Sequence, residues 1–313
     1  MWKYMYTAAF LVAAAMVIHA SFSSRSVGPD ILPPGAALYS WGYYPVSAIS
    51  WSGKGGDSII SMAPLEIDAL TSNLAGRVNQ IDVARYLVAV VSGSNVMLFD
   101  SRSWEMLLEL DTGQSLRRIA IAPNLKEIAF VACPEHLISD CRLRVLEIAT
   151  EGIRTIGTEE IGASSTLSWY PDGKSLLYIS SDKQMTNYVI SEKSSRELGE
   201  SSFASYSPDG VEMAYQAERG IIIRNLQNGS EREYNANWWD IQGWRFREEP
   251  QNYALHWDRT GRFLAFTADV MKVLPDDIIS PGVYSCNVLD TQTGNYVTLY
   301  EERGGTCGPW MSN

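Results

Sequence analysis

The chain has 313 residues, with 36 acidic against 25 basic side chains and a formal charge of −11. It shows no cluster of Lys and Arg of the kind that displaces phosphate counterions, so nucleic acid is excluded as a partner. Once the first twenty residues are set aside, the length suits one large all-β domain or two small ones.

The N-terminus reads as an export signal. Lys3 is followed by an uncharged run from Tyr4 to Ile18, then Ala20, then a Ser-rich exit over 21–26. That order of charge, apolar centre and small residue is the secretory pattern, and the apolar run is short for a spanning helix. The expected organisation is a signal peptide at 1–20, a linker at 21–37 and one domain at 38–313. An uncleaved N-terminal anchor is the alternative, and the only membrane contact foreseen. The expected location is periplasmic or secreted.

Beyond the leader, one pattern recurs in chain order. It runs from Trp51 to Ile59-Ile60, with one extra residue, and faintly from Ile81 to Val88-Ala89-Val90. Ala120-Ile121-Ala122-Pro123-Asn124 leads into Ile128-Ala129-Phe130. Ser168-Trp169-Tyr170-Pro171-Asp172-Gly173 leads into Leu176-Leu177-Tyr178. Ser205-Tyr206-Ser207-Pro208-Asp209-Gly210 leads into Met213-Ala214-Tyr215. His256-Trp257-Asp258-Arg259-Thr260-Gly261 leads into Leu264-Ala265-Phe266. Pro presets φ at its turn position, and Asp then Gly fit a tight turn, so each unit predicts a hairpin. The flanking strands are apolar throughout, which means cover on both faces. Third strands end at Asp100, Glu147 and Asp290, and short fourth strands follow, as at 104–110 and 296–300. Four-stranded units buried on both faces must stack and close into a ring. The predicted fold is an all-β, six-bladed β-propeller with four-stranded antiparallel blades. Trp169, Tyr206 and Trp257 are predicted to be equivalent, as are Phe130, Tyr178, Tyr215 and Phe266. The tail from Cys307 to Ser312 is predicted to return as an inner strand of the first blade.

These residues carry a family resemblance. The aromatic-Ser/Tyr-Pro-Asp-Gly turn before an aliphatic-aromatic strand, clearest at 166–180 and 203–217, resembles the TolB-type propeller repeat. The resemblance extends weakly over 38–312. It implies a propeller alone, without the α/β domain that precedes it in TolB, and protein–protein contacts outside the cytoplasm. A structural repeat carries fold better than function.

Four cysteines in an exported chain read as two disulfides, Cys133 with Cys141 and Cys286 with Cys307. Neither spacing matches a zinc motif. Strand parity sends the longest loops, 133–141, 235–252 and 268–281, to one face and the Pro-Asp-Gly turns to the other. The 235–252 loop carries Trp238, Trp239 and Trp244 with Arg245 and Arg247. They are the candidate partner-binding anchors, since Trp and Arg dominate binding hot spots. Packing into the channel as a plug is the alternative. Asp276-Asp277 reads as a solvated loop, and Gly53-Lys54-Gly55-Gly56 as a turn.

No catalytic set is visible. The three histidines are His19, His136 and His256; the last sits on an inner strand and reads as structural. There is no zinc-protease or α/β-hydrolase motif. No cofactor and no metal are expected. The function expected is a non-catalytic, monomeric scaffold that binds a protein or an extracellular ligand through one face. A propeller lyase or hydrolase, and a structural or inhibitory partner protein, are the alternatives.

Overall fold

A computed structural model describes residues 19–24, 37–42, 47–52, 59–64, 78–134, 140–162, 166–217, 220–236, 244–246, 255–272, 283–302 and 305–310. Within 19–64, 158–159, 235–246, 268–285 and 300–306 the backbone alone is described.

Every described element is a strand, and the strands form six sheets. Sheet 2 comprises Val78–Ala84, Leu87–Ser92, Asn95–Asp100 and Met106–Asp111. Sheet 3 comprises Ser115–Ile121, Glu127–Cys133, Cys141–Glu147 and Gly152–Ile161. Sheet 4 comprises Leu167–Trp169, Ser175–Ile179, Gln184–Val189 and Ser194–Glu200. Sheet 5 comprises Ala204–Tyr206, Glu212–Ala217, Gly220–Asn225 and Glu231–Ala236. Sheet 6 comprises Leu255–Trp257, Phe263–Lys272, Val283–Asp290 and Tyr296–Glu302. These five are four-stranded antiparallel blades with described side chains. Sheet 1 is assembled from both chain ends: the strand Gly305–Trp310 pairs with Ala37–Gly42, which continues into Ser47–Ser52 and Ile59–Pro64. Each innermost strand touches the next, from sheet 1 through sheet 6 and back to sheet 1.

The apolar strands behave as their sequences require. Glu127–Cys133 is buried at all positions but its first, and Leu87–Ser92 at all but its last. Alternate residues of a strand serve opposite neighbours. In sheet 4, Leu176 and Tyr178 pack with Ala129 and Val131 of sheet 3, while Leu177 and Ile179 pack with Met213 and Tyr215 of sheet 5. Phe130, Tyr178, Tyr215 and Phe266 each face the preceding sheet, as the repeat predicts.

The Pro-Asp-Gly turns are held by their own polar groups. Asp172 accepts the Lys174 N–H at 2.8 Å, and Asp209 the Val211 N–H at 3.0 Å. Gly210 has φ +70, and a Cβ there would lie 2.8 Å from the Tyr170 ring. Glycine therefore meets two demands at this turn, a left-handed backbone and close contact with the turn of the previous sheet.

The structure departs from the sequence reading in four places. The Trp51–Ile60 hairpin joins the third and fourth strands of sheet 1, not the first two, because the C-terminal strand takes the inner position. In sheet 2 the hairpin closes on two residues, Arg85 and Tyr86, so Val83, not Ile81, is the counterpart of Trp169. The expected 21–37 linker begins as a strand: His19–Ser24 pairs in parallel with Glu231–Ala236 at the outer edge of sheet 5. The expected 268–281 loop starts later, because Phe263–Lys272 runs on and pairs with Trp244–Phe246. The remainder of that loop, and residues 1–18, lie outside the described residues.

Candidate functional site

The innermost strands are too far apart to share a backbone ladder, so side chains bridge them. Gln80 and Asp82 of sheet 2 accept the N–H groups of Ile119 (2.8 Å) and Ile121 (2.6 Å) in sheet 3. Ser168 of sheet 4 accepts the Tyr206 N–H at 3.1 Å in sheet 5. From the second strand of sheet 6, Thr267 likewise accepts the Cys307 N–H at 2.7 Å. These bridges satisfy edge groups that would otherwise be buried without partners.

A second device repeats three times. The Trp169 indole N–H donates to the Ala120 carbonyl at 3.0 Å, Trp257 to Ser205 at 3.2 Å, and Trp310 to His256 at 2.9 Å. Each is the last residue of an inner strand, and each reaches the last residue but one of the preceding inner strand. Trp310 is thus the counterpart of Trp169 and Trp257. Sequence reasoning missed it because no hairpin follows it, although its place at the end of the returning tail strand was a usable signal.

Inside the ring lies a cavity of about 910 Å³. Its rim is made by the tight turns, with Pro123, Pro171, Pro208 and Arg259 among the lining residues. Deeper, the wall is polar: Asp82, Arg118, Thr166, Ser168, Ser205 and His256 come from five different sheets. Sheets 3 and 6 stand opposite in the ring order, yet the Arg118 charge acts on His256. Burial pushes the His256 imidazole down to about 3, helped by that charge, so it is neutral near pH 7. Burial, with the neighbouring Arg117 charge, lowers Arg118 to about 10, which leaves it cationic. Burial raises the Asp82 carboxyl to about 6 against the pull of the Ile121 and Val83 N–H groups. Among the described residues no three His, Cys, Asp or Glu side chains gather as a metal set.

No family profile matches the chain, and no curated protein is detectably similar in sequence. Solved structures do match. A TolB candidate from Agrobacterium tumefaciens superposes with a TM-score of 0.54 at 15% identity, over 87% of this chain and 90% of that one. TolB from Acinetobacter baumannii superposes with a TM-score of 0.58 at 13% identity, over 88% of this chain and 66% of that one. The fold is a TolB-type β-propeller. At such identity the likeness speaks for the arrangement of strands and for nothing chemical, so the site of this TolB-type propeller is read from its own residues.

Of the residues singled out in sequence, the four cysteines come together as foreseen. Cys133 joins Cys141 within sheet 3, with Cα atoms 4.1 Å apart, and Cys286 joins Cys307 across sheets 6 and 1 at 4.9 Å. No thiol is left free. Two disulfides in a TolB-type propeller fit a compartment outside the reducing cytoplasm. Trp244 and Arg245 lie on the short strand Trp244–Phe246, opposite Lys272 and Met271. Trp238, Trp239 and Arg247 lie outside the described residues. Arg118, Asp82 and Thr166 escaped the sequence reading. Asp82 and Arg118 belong to different inner strands and Thr166 just precedes a third, and nothing local marks any of them as facing a shared space.

Proposed function

We propose that this chain is an exported, non-catalytic binding module: a six-bladed TolB-type propeller that receives its ligand or partner at the channel mouth. The observation that carries the reading is the cavity of about 910 Å³, framed by the turns and lined by polar groups from five sheets. Its size is that of ordinary ligand sites, and its walls belong to a ring of hydrogen-bonded sheets. The compartment we propose is the periplasm or the exterior. The opposite face, with Trp238, Trp239, Trp244, Arg245 and Arg247, is proposed as a second surface for a protein partner.

A catalytic reading has one observation behind it. A carboxyl near 6, like that of Asp82, suits a general base. Against it, Asp82 Oδ2 is engaged at 2.6 Å in holding Ile121, which is a structural duty.

The test is a capture experiment from envelope or secreted extract with three proteins. One is the parent chain. The second carries Arg85→Glu and Arg259→Glu at the rim, and the third has residues 235–252 replaced by Gly/Ser. A partner retained by the parent and lost by the rim variant supports the mouth as the site. Loss only in the third variant moves the site to the opposite face. Capture unchanged by either replacement would overturn the binding reading for both faces.

A further inference from the structure

Strand register divides the cavity wall into two unlike halves. Residues at every second position of a strand share a face. The residues just before Trp169 and its counterparts are Asp82, Ala120, Ser168, Ser205, His256 and Pro309, and all six line the cavity, one from each sheet. Two positions deeper on their strands come Arg118 and Thr166. The charges of this wall, Asp82 and Arg118, belong to sheets 2 and 3 and are opposite in sign. Asp258 is held by the Phe263 and Arg262 N–H groups of its own turn at 2.8 and 2.9 Å. Along sheets 4, 5, 6 and 1 the wall is neutral, with Ser168, Ser205 and an uncharged His256 beside the aromatic rings of Trp169, Tyr206, Trp257 and Trp310. On this half the hydroxyls have bonding capacity left over. Thr166 is 6% exposed, and its hydroxyl has no hydrogen-bond partner among the described residues. The Ser168 and Ser205 hydroxyls lie 3.4 Å apart, and Ser168 also accepts the Tyr206 N–H. A hydroxyl has one donor and two lone pairs. After those two bonds the serine pair keeps one donor and two lone pairs, and Thr166 keeps all of its own.

We propose that the sheet 4 to sheet 1 half of the cavity binds a neutral sugar, its ring face against Trp257 and Trp310 and its hydroxyls on Thr166, Ser168 and Ser205. A sugar ring has an apolar C–H face and a rim of hydroxyls, which matches aromatic rings set beside serine and threonine. Trp257 and Trp310 are only half-buried, and their indole N–H groups are fixed on the Ser205 and His256 carbonyls. Their rings are therefore oriented before any ligand arrives, which lowers the entropy cost of binding. Buried hydroxyls with unused bonds select for a hydroxylated ligand, because an apolar one would leave them unpaired. An ionic ligand finds no reward, since Asp82 and Arg118 offset each other and the half that carries the hydroxyls has no charge. An extended peptide would need open strand edges, and Gln80, Asp82 and Ser168 already occupy those of sheets 3 and 5. The inference rests on the binding reading above and adds to it the chemistry of the ligand.

Calorimetric titration of the full, oxidised chain tests this with maltose, cellobiose and diacetylchitobiose as neutral probes, and with glucuronate and glucosamine as charged controls. At least one neutral sugar is expected to bind with a Kd of about 1 mM or below, and both charged controls more weakly. Thr166→Val should weaken that sugar by roughly tenfold and Ser205→Ala by a few-fold. The unfolding temperature of Thr166→Val should match or exceed that of the parent, because the lost hydroxyl bonds nothing in the folded chain. Trp257→Leu should also cost roughly tenfold in affinity; if it does not fold, Thr166→Val and Ser205→Ala carry the test. No binding of any neutral probe, a charged control that binds tighter, or a folded Thr166→Val chain with the parent affinity would overturn the proposal. If partner capture at the rim persists in that case, the ligand assignment alone is lost and the binding module stands.

Discussion

The joint between sheets 4 and 5 and the joint between sheets 6 and 1 solve the same problem with different means. At the first, Ser168 accepts the Tyr206 N–H, Tyr170 donates to the Gly210 carbonyl at 3.1 Å, and the Tyr170 and Tyr206 rings meet edge to face at 5.2 Å. All of these residues come from adjacent hairpins. At the second, the inner strand of sheet 1 is the chain's last, and within that sheet Leu38 must find Trp310 from almost the far end of the chain. Closing a loop that long costs roughly 2 kcal/mol more than joining neighbouring blades. The closing joint has what the interior one lacks: the Cys286–Cys307 bond, beside the Trp310 indole on His256 and Thr267 on the Cys307 N–H. The covalent tether fastens the last strand to sheet 6 so that only its pairing with Ala37–Gly42 remains to be won. Interior joints of a propeller are held by local packing, and the seam between chain ends is held by a constraint.

The largest break in this comparison is expected from the interior indole latch. Trp169 is 6% exposed within the core between sheets 3 and 4. Its replacement by Ala should lower stability by about 3–5 kcal/mol, and by Phe about 1–2 kcal/mol, since Phe leaves the Ala120 carbonyl without the indole N–H. Urea unfolding of both variants measures the difference. Next come the disulfides. Cys286→Ala with Cys307→Ala should lose about 3 kcal/mol, and Cys133→Ala with Cys141→Ala slightly less, about 2.5 kcal/mol, because its loop is shorter. Hydrogen exchange sharpens the contrast: only the first pair should expose the amides of 305–310. Were the second pair to fray that strand instead, the seam would not depend on its own tether.

A smaller effect is expected at a turn. Gly210→Ala forces a left-handed Ala whose Cβ meets the Tyr170 ring, and should cost about 1–2 kcal/mol by thermal unfolding. Equal stability to the parent would show that the turns are not in tight contact. The smallest effect concerns the joint between sheets 2 and 3, where a carboxylate does the bridging. Asp82 has its folded pKa raised from 3.8 to about 6. The folded state thus holds the proton more tightly than the unfolded chain. Its contribution to stability is greatest below pH 4, falls as pH rises through 4 to 6, and is flat above. Asp82→Asn keeps an acceptor for the Ile121 N–H and removes that slope. It should gain of order 1 kcal/mol over the parent at pH 7 and nothing at pH 4. An unchanged pH profile between 4 and 6 would show that Asp82 is not the group responsible.

Local chemistry in the sequence determined a good deal of this protein. Pro-Asp-Gly presets a turn wherever it stands, and unbroken apolar strands demand cover on both faces. The hairpins, the equivalence of Trp169 with Trp257, and the pairing of the cysteines were therefore legible. Register in sheet 2 was not, because the Val88-Ala89-Val90 run is apolar at every position and aligns equally well with Ile81 or Val83. Nor was the role of the Trp51 hairpin, whose place depends on a strand arriving from the other end of the chain. The cavity was the least legible of all. Asp82, Arg118 and His256 lie on three strands spread across much of the chain, with Thr166 just ahead of a fourth, and each looks locally like an ordinary polar break in an apolar run. Only closure of the ring turns those four edges toward one space, removes their water, and makes a single site of them.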